Sequence, residues 1–360
     1  MIARLLALVL VAAPAWGAPP DARARLAEAL DRYQRLEPAG WGEIPEGPLV
    51  RPGERDAAQV PALRARLSAE GALAGAASTG AVLDADLADA LRRTQRRLGL
   101  DGDGILGPKT RGALNVSAAA RADQIRQSLD RVPAIPAAGR FVLVNVAEYR
   151  VRAFEDGREV LAMKAVVGAD EDGHRTPLFS DEIEYATFRP YWNIPTSIAV
   201  DELIPEGPEA LAAGGYQLVR SFSPDAEVVP MTAEALQQVV DGHLLMRQAA
   251  GPSNALGLVK YMFPNGHNVY LHDTPARGYF SRDERALSHG CVRLEDPVSF
   301  GEWLLGPQGW TYEDVLAAMV DGEHRQVDLA RHVPVTLAYL SAWADDAGAV
   351  WFAGDPYGMF

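Results

Sequence analysis

The sequence predicts an α+β protein in which an all-α N-terminal third precedes a β-rich domain carrying one long capping insertion. Three observations predict it. Apolar residues recur at helical spacing as far as Val132. Short runs of branched and aromatic residues, bounded by turn residues, begin at Phe141. From about Pro195 to Gly257, prolines and glycines break up helical pieces, and strand-like runs resume at Leu258. At roughly 150 residues per domain, 360 residues with 48% hydrophobic content make two or three domains with real cores. Lys and Arg total 34 against 48 Asp and Glu, and the net charge of -14 repels polyanions, so no nucleic-acid partner is expected.

Taken in order, residues 1–17 read as a signal peptide. Arg4 precedes the apolar run Leu5 to Ala13, and Ala15-Trp16-Gly17 puts small residues where a signal peptidase looks, with a cut after Gly17. That run is too short to span a bilayer, and no later segment is apolar enough. The expected product is not membrane-spanning after signal cleavage and works outside the cytoplasm. Export makes the single cysteine informative, because one thiol cannot close an internal disulfide: Cys291 is either buried filler or reactive.

Residues 18–55 form an N-terminal helical segment, with Leu26, Leu30 and Tyr33 in phase and Pro38, Gly40, Pro45 and Pro48 ending it. Residues 56–118 carry one helix with Val60, Leu63 and Leu67 and a second opening at Asp84, a good N-cap. The second helix turns Leu87, Leu91 and Leu98 inward and Arg92, Arg93, Arg96 and Arg97 outward. That basic face reads as a solvated surface or as an anion contact. The following run from Asp101 to Thr110 fails as a calcium loop: Ile105, Leu106 and Gly112 stand where a ligand, the glycine and the closing glutamate belong. It is a turn, with Pro108 starting a helix. Residues 119–137 supply a further helix capped by Ser117, with Ile125, Leu129 and Val132 in phase, and a linker at Pro133 and Pro136.

Residues 138–360 change character. Strands are expected at Phe141 to Val146, Tyr149 to Phe154, and Val160 to Val167 beyond an Asp156-Gly157 turn. Others follow at Pro177 to Thr187, Leu258 to Phe263 and Asn268 to His272. The insertion, about 196–257, is long enough to act as a lid. Asp296-Pro297 opens a helix to Leu305, Thr311 caps another ending near Asp321, and Val335 to Leu340 with Val350 to Phe352 reads as a closing hairpin.

The chemistry centres on Ser288-His289-Gly290-Cys291-Val292-Arg293. A thiol attacks as the thiolate, which at a reference pKa of about 8.5 needs a base or a positive environment. His272, ending a strand, and His289, two residues from the thiol on a stretch that would share its side, are both open as that base. A structural histidine is the competing reading, more so for His289. Gly290 lets backbone approach a substrate, and amides from Gly290 to Val292 suit an oxyanion. Arg293 suits a carboxylate or a structural salt bridge.

The pattern of His272-Asp273 followed after a loop by Ser288-His289-Gly290-Cys291-Val292-Arg293 resembles the mark of the YkuD-type L,D-transpeptidases. The likeness extends to Asn145, Tyr149, Val167-Gly168, Thr176-Pro177, Tyr191 to Pro195, Asn254 to Gly257 and Leu271 to Pro275, as in the longer Gram-negative branch with a capping insertion. Gln95, Leu98-Gly99-Leu100, Asp103-Gly104, Gly107 and Thr110 resemble the signature of the small three-helix peptidoglycan-binding domain, for which a ligand-free helical spacer is the alternative. One departure is Val132-Pro133, in place of a tryptophan-rich linker.

The resemblance implies a periplasmic enzyme acting on peptidoglycan stem peptides and glycan, with wall synthases among the candidate partners. Cys291 would attack the diaminopimelate carbonyl of a tetrapeptide stem, expelling the terminal D-alanine and leaving a thioester. His272 would carry the proton, its ring oriented by the main-chain carbonyl of Asp273. A second stem's amine would then complete a 3→3 cross-link. Ser288, His289 and Gly290 would support the geometry, Tyr270 would line the cleft, Arg293 would bind substrate, and Tyr191 and Trp192 would wall the donor stem. No metal or organic cofactor is implied. His267 and His272 lack a third ligand of recognisable spacing, which argues against a zinc amidase. The alternatives are an L,D-carboxypeptidase or hydrolase, a ligase joining lipoprotein to peptidoglycan, and, in another class, a non-catalytic wall-binding scaffold.

Overall fold

The computed structural model describes residues 22–360 apart from 39, 74–79, 135, 137 and 172. The expected signal peptide lies outside the described residues. No helix among the described residues is long and apolar enough to cross a membrane.

Five helices come first: α1 (Ala22–Leu36), α2 (Gln59–Ala69), α3 (Ala85–Arg97), α4 (Pro108–Leu114) and α5 (Ala118–Arg131). Asp84 caps α3 by accepting the Leu87 N–H at 3.0 Å, Ser117 caps α5 through the Ala120 N–H at 3.2 Å, and Pro108 opens α4. Val60, Leu63, Leu67, Leu87, Leu91, Leu106 and Leu114 form one core. The turn before α4 is tied to α3 by Gln95, whose amide donates to Asp103, to the Ile105 carbonyl and to Thr110 at 2.8–3.0 Å and accepts the Gly104 N–H at 2.8 Å. The signature residues Gln95, Asp103, Gly104 and Thr110 are thus bonded to one another. Helices α1 and α5 join a different core, packing with Phe141, Leu143, Phe154, Trp343 and Phe352 on the back of the β-rich domain.

That domain begins with β1 (Arg140–Asn145), β2 (Arg150–Glu155), β3 (Arg158–Gly168) and β4 (Ser180–Phe188). Asp156 and Gly157 both take positive φ, at 49° and 77°, as the tight hairpin between β2 and β3 requires. The insertion holds β5 (Trp192–Asn193), α6 (Thr196–Ile198), α7 (Pro208–Ala213), β6 (Tyr216–Val219), β7 (Val228–Val229), α8 (Ala233–Val240) and β8 (Leu245–Gln248). The chain returns through β9 (Val259–Met262), β10 (Leu271–His272), β11 (Ala286–Ser288) and β12 (Val292–Leu294). It closes with α9 (Pro297–Leu305), α10 (Tyr312–Val320), β13 (Arg325–Ala338), β14 (Ala342–Ala344) and β15 (Val350–Phe352).

Nine strands pair in the order β11-β3-β12-β10-β9-β4-β13-β1-β2, and β2 also pairs with β3, which returns the sheet to its own start. The main core lies inside this ring and under α9 and α10, where Tyr261, Leu271, Val292, Phe300, Leu304 and Val315 are buried together.

Two expectations need correction. The insertion is more than broken helical pieces: β5, β8, β6 and β7 make a four-stranded sheet with its own core of Ile194, Leu211, Leu218, Leu236 and Met246. Strands of two to four residues leave too short an alternation to read. The closing hairpin is β14 with β15, whereas Val335 to Ala338 belong to β13, wedged between β4 and β1. The exposed charges from Arg325 to His332 and Pro334 disguise that strand; a register shift between Asp328 and Val333 lets it pass through.

Candidate active site

Three neighbouring strands assemble the site. β10 pairs in parallel with β12, setting His272 beside Arg293, and antiparallel with β9, setting His272 beside Lys260. Cys291 stands two residues before Arg293, on the same side by the alternation of a strand. The Val292 N–H donates to the Tyr270 carbonyl at 3.1 Å, which places Cys291 alongside Tyr270. Lys260, Tyr270, His272, Cys291 and Arg293 therefore share one face, while Tyr261, Leu271, Val292 and Leu294 fill the core behind it. The Cys291 sulfur lies 3.6 Å from the Asn268 carbonyl, and the Tyr270 ring stands edge-on to that of His272 at 5.7 Å between centroids.

The turn that presents the thiol is held from several sides. Gly290 adopts φ 108°, which a side chain would strain, and this bend replaces the extended segment expected there. Ser288 Oγ donates to the Cys291 carbonyl at 2.6 Å and accepts the Gly290 N–H at 3.2 Å. Of the three amides expected to face an oxyanion, Gly290 and Val292 are thus already bonded. Cys291 N–H alone has no acceptor among the described residues. The buried Thr176 hydroxyl donates to the Gly290 carbonyl and accepts the Gly168 N–H, both at 2.8 Å. Thr176→Val keeps the shape but strands both groups, at about 1–3 kcal/mol each. The expected result, read by urea unfolding, is a loss of roughly 2–6 kcal/mol that Thr176→Ser does not show.

Electrostatics divide the roles. His272 is 3% exposed, and its Nδ1 lies 2.5 Å from the Asp273 carbonyl. A carbonyl only accepts, so Nδ1 carries the proton and Nε2 keeps its lone pair. Burial, aided by the Arg293 charge, pushes the imidazole down to about 3, so it is neutral at ordinary pH. Burial pushes the half-buried Cys291 thiol up, against the pull of the Tyr270 amide and side chain, Arg293 and Lys260. Burial also lowers Lys260 and Arg293. A thiol and a neutral imidazole thus share one strand face with the Lys260 and Arg293 cations, whose charges favour negative charge arriving on sulfur.

The sign of the His272 shift makes a stability prediction. Above the ordinary value of 6.5 both folded and unfolded chains hold the ring neutral. Below it the unfolded chain takes a proton that the fold refuses until about 3, so stability falls by about 1.4 kcal/mol per pH unit between them. Between pH 7 and 5 the protein is expected to lose about 2 kcal/mol more than His272→Gln does. Equal losses in urea titrations at the two pH values would refute the buried neutral ring.

The remaining sequence-predicted residues fall as follows. Asp273 supplies its carbonyl to His272, and its carboxylate accepts the Leu258 N–H at 2.9 Å. No ion pair among the described residues involves Arg293; its Nε is buried without a hydrogen-bond partner, and its head lies 5.6 Å from the Tyr279 ring centroid. His289 turns outward, its Nε2 2.8 Å from Glu202 of the insertion. Tyr191 lies between Arg247 and His324, and Trp192 packs on the insertion's core.

Lys260, His174 and Glu202 were not singled out from sequence, and Thr176 entered only as part of the family resemblance, with no role given to it. A lone lysine inside the apolar run Val259 to Met262 was the available signal for the first. No linear spacing announces the others, although His174, Glu202 and His289 bring possible metal-ligating atoms within 4.8 Å of one another.

Residues 139–320 match the family model described as "L,D-transpeptidase catalytic domain", and residues 56–114 match the one described as "Putative peptidoglycan binding domain". A Haemophilus influenzae protein named "Putative L,D-transpeptidase" is 28% identical over 230 residues, covering 63% of this chain and 46% of its own length. The chain thus spans about half the length of that curated relative. Among solved structures, an L,D-transpeptidase from Xylanimonas cellulosilytica is 17% identical, with 82% of this chain and all of that one covered, at a TM-score of 0.26. One from Stackebrandtia nassauensis is 15% identical, with 82% and 95% covered, at 0.34. With its thiol, imidazole and guanidinium inside the matched segment, which takes up half of its length, the chain belongs to the family of L,D-transpeptidase catalytic domains.

Proposed function

We propose that the protein is a cysteine-dependent L,D-transpeptidase that joins peptidoglycan stems by 3→3 cross-links outside the cytoplasm. The observation that carries this reading is the placement of Cys291 and the buried neutral His272 on one face of paired strands, beside Arg293, which has no ion-pair partner among the described residues. Sulfur attacks the diaminopimelate carbonyl of a tetrapeptide stem while the thiol proton passes to His272 Nε2. The amide bond to D-alanine breaks as His272 returns the proton to the leaving amine, leaving a thioester. The side-chain amine of a second stem then attacks that carbonyl, the new amide forms, and the amine's proton returns to sulfur through His272. Cys291 N–H and the Tyr270 hydroxyl are the candidate donors to the tetrahedral oxygen. Arg293 is placed to hold a carboxylate, which it grips bidentately. The helical module would keep the enzyme near its polymeric substrate.

The test is to incubate the purified protein with tetrapeptide muropeptides and follow products by mass spectrometry. Cross-linked dimers with release of D-alanine are expected. Tripeptide without dimers would replace this reading with an L,D-carboxypeptidase, and unchanged substrate would leave a wall-binding scaffold.

A further inference from the structure

His174, Glu202 and His289 reach one point from three separate stretches: the loop after β3, the insertion and the turn before Cys291. His289 Nε2 meets Glu202 Oε1 at 2.8 Å, and the His174 ring stands edge-on to that of His289 with centroids 4.4 Å apart. All three side chains keep solvent access. His174 Nδ1 also lies 3.3 Å from Glu171 Oε2, the carboxylate partner that orients a ligating imidazole through its other nitrogen.

Two imidazoles and one carboxylate are the donor set of a three-ligand zinc site with an open fourth position. They are poor ligands for magnesium, which takes oxygen donors in an octahedron. Zinc draws N and O donors to about 2.0–2.2 Å, or about 3.3 Å from one another in a tetrahedron. The three ligand atoms lie within 4.8 Å of one another, so a contraction of about 1.5 Å at most completes the site. Rotations of exposed side chains supply that much.

We propose that His174, Glu202 and His289 form a binding site for zinc or a similar divalent transition-metal ion at the mouth of the active site. The ion is not a participant in acyl transfer. Its place in the fold sets its effect. His174 belongs to the loop that Thr176 fastens to the Gly290 carbonyl, and His289 adjoins Gly290, so two ligands share one platform. Glu202 alone comes from the insertion. Metal binding therefore ties the insertion to the turn that presents the thiol.

Calorimetric titration of zinc into Cys291→Ala protein tests the site without turnover and without the thiol as a competing soft ligand. One equivalent bound at micromolar affinity or tighter is expected, with no heat from magnesium. Added in the same background, Glu202→Gln and His174→Ala are each expected to weaken zinc by at least tenfold, and a zinc-induced rise in melting temperature should vanish in both. Absence of binding to Cys291→Ala protein overturns the proposal. So does equal binding in either added variant, which would mean that zinc sits on other histidines.

Discussion

Cys291→Ala is expected to abolish product formation, lowering turnover of tetrapeptide muropeptides by at least about 10⁴-fold, the scale on which an enzyme loses activity with its nucleophile. The chain contains no second thiol to take over. The oxyanion donors and substrate contacts that remain would polarise the carbonyl with nothing placed to attack it. Intact-protein mass spectrometry supplies the companion readout. The unsubstituted protein should gain the mass of an acylated stem on Cys291, and the variant should gain none. The substitution removes only a sulfur from a half-buried side chain, and the supports of the turn run through Ser288, Thr176 and the backbone, so the fold should survive. Full activity in Cys291→Ala would end the covalent mechanism.

How far the sequence reached depends on the range of the interactions involved. Cys291, His272 and Arg293 were legible because the chemistry needs those residue types and the chain writes two of them in one hexapeptide. Their common face was not, since it follows from the pairing of β10 with β12. Caps at Asp84, Ser117, Asp296 and Thr311 were readable because a cap bonds three residues away, within any reading window. Thr176 holding Gly290 across 114 residues has no local trace. The same holds for α5: its helical phase was plain, but only the assembled core shows it packed with α1 on Phe141 and Trp343. In the module, Gln95, Asp103, Gly104 and Thr110 were visible as a pattern, and the fold gives that pattern a structural cause. Gln95 and Thr110 are buried in that network, whereas Asp103 joins it through Oδ1 and stays exposed.

The two histidines make the sharpest comparison, because the chain offers both at plausible distances from the thiol and the fold treats them oppositely. His272→Ala is expected to lower kcat by about 10²–10⁴-fold, the usual worth of a positioned proton carrier. His289→Ala should cost about tenfold or less. His272 is buried, neutral and oriented by the Asp273 carbonyl, on the strand face that also carries the thiol. His289 is partly exposed, and its Nε2 engages Glu202 of the insertion. Substrate affinity separates a chemical role from a structural one: loss of the base should appear in kcat with KM little changed, whereas a collapsed cleft would raise KM as well. His272→Gln serves as a second variant, since it keeps a hydrogen-bonding side chain in the buried site yet restores no base. If His289→Ala proved inactive while His272→Ala turned over normally, the proton would have to travel through the exposed imidazole, and the buried one would be a brace for Asp273.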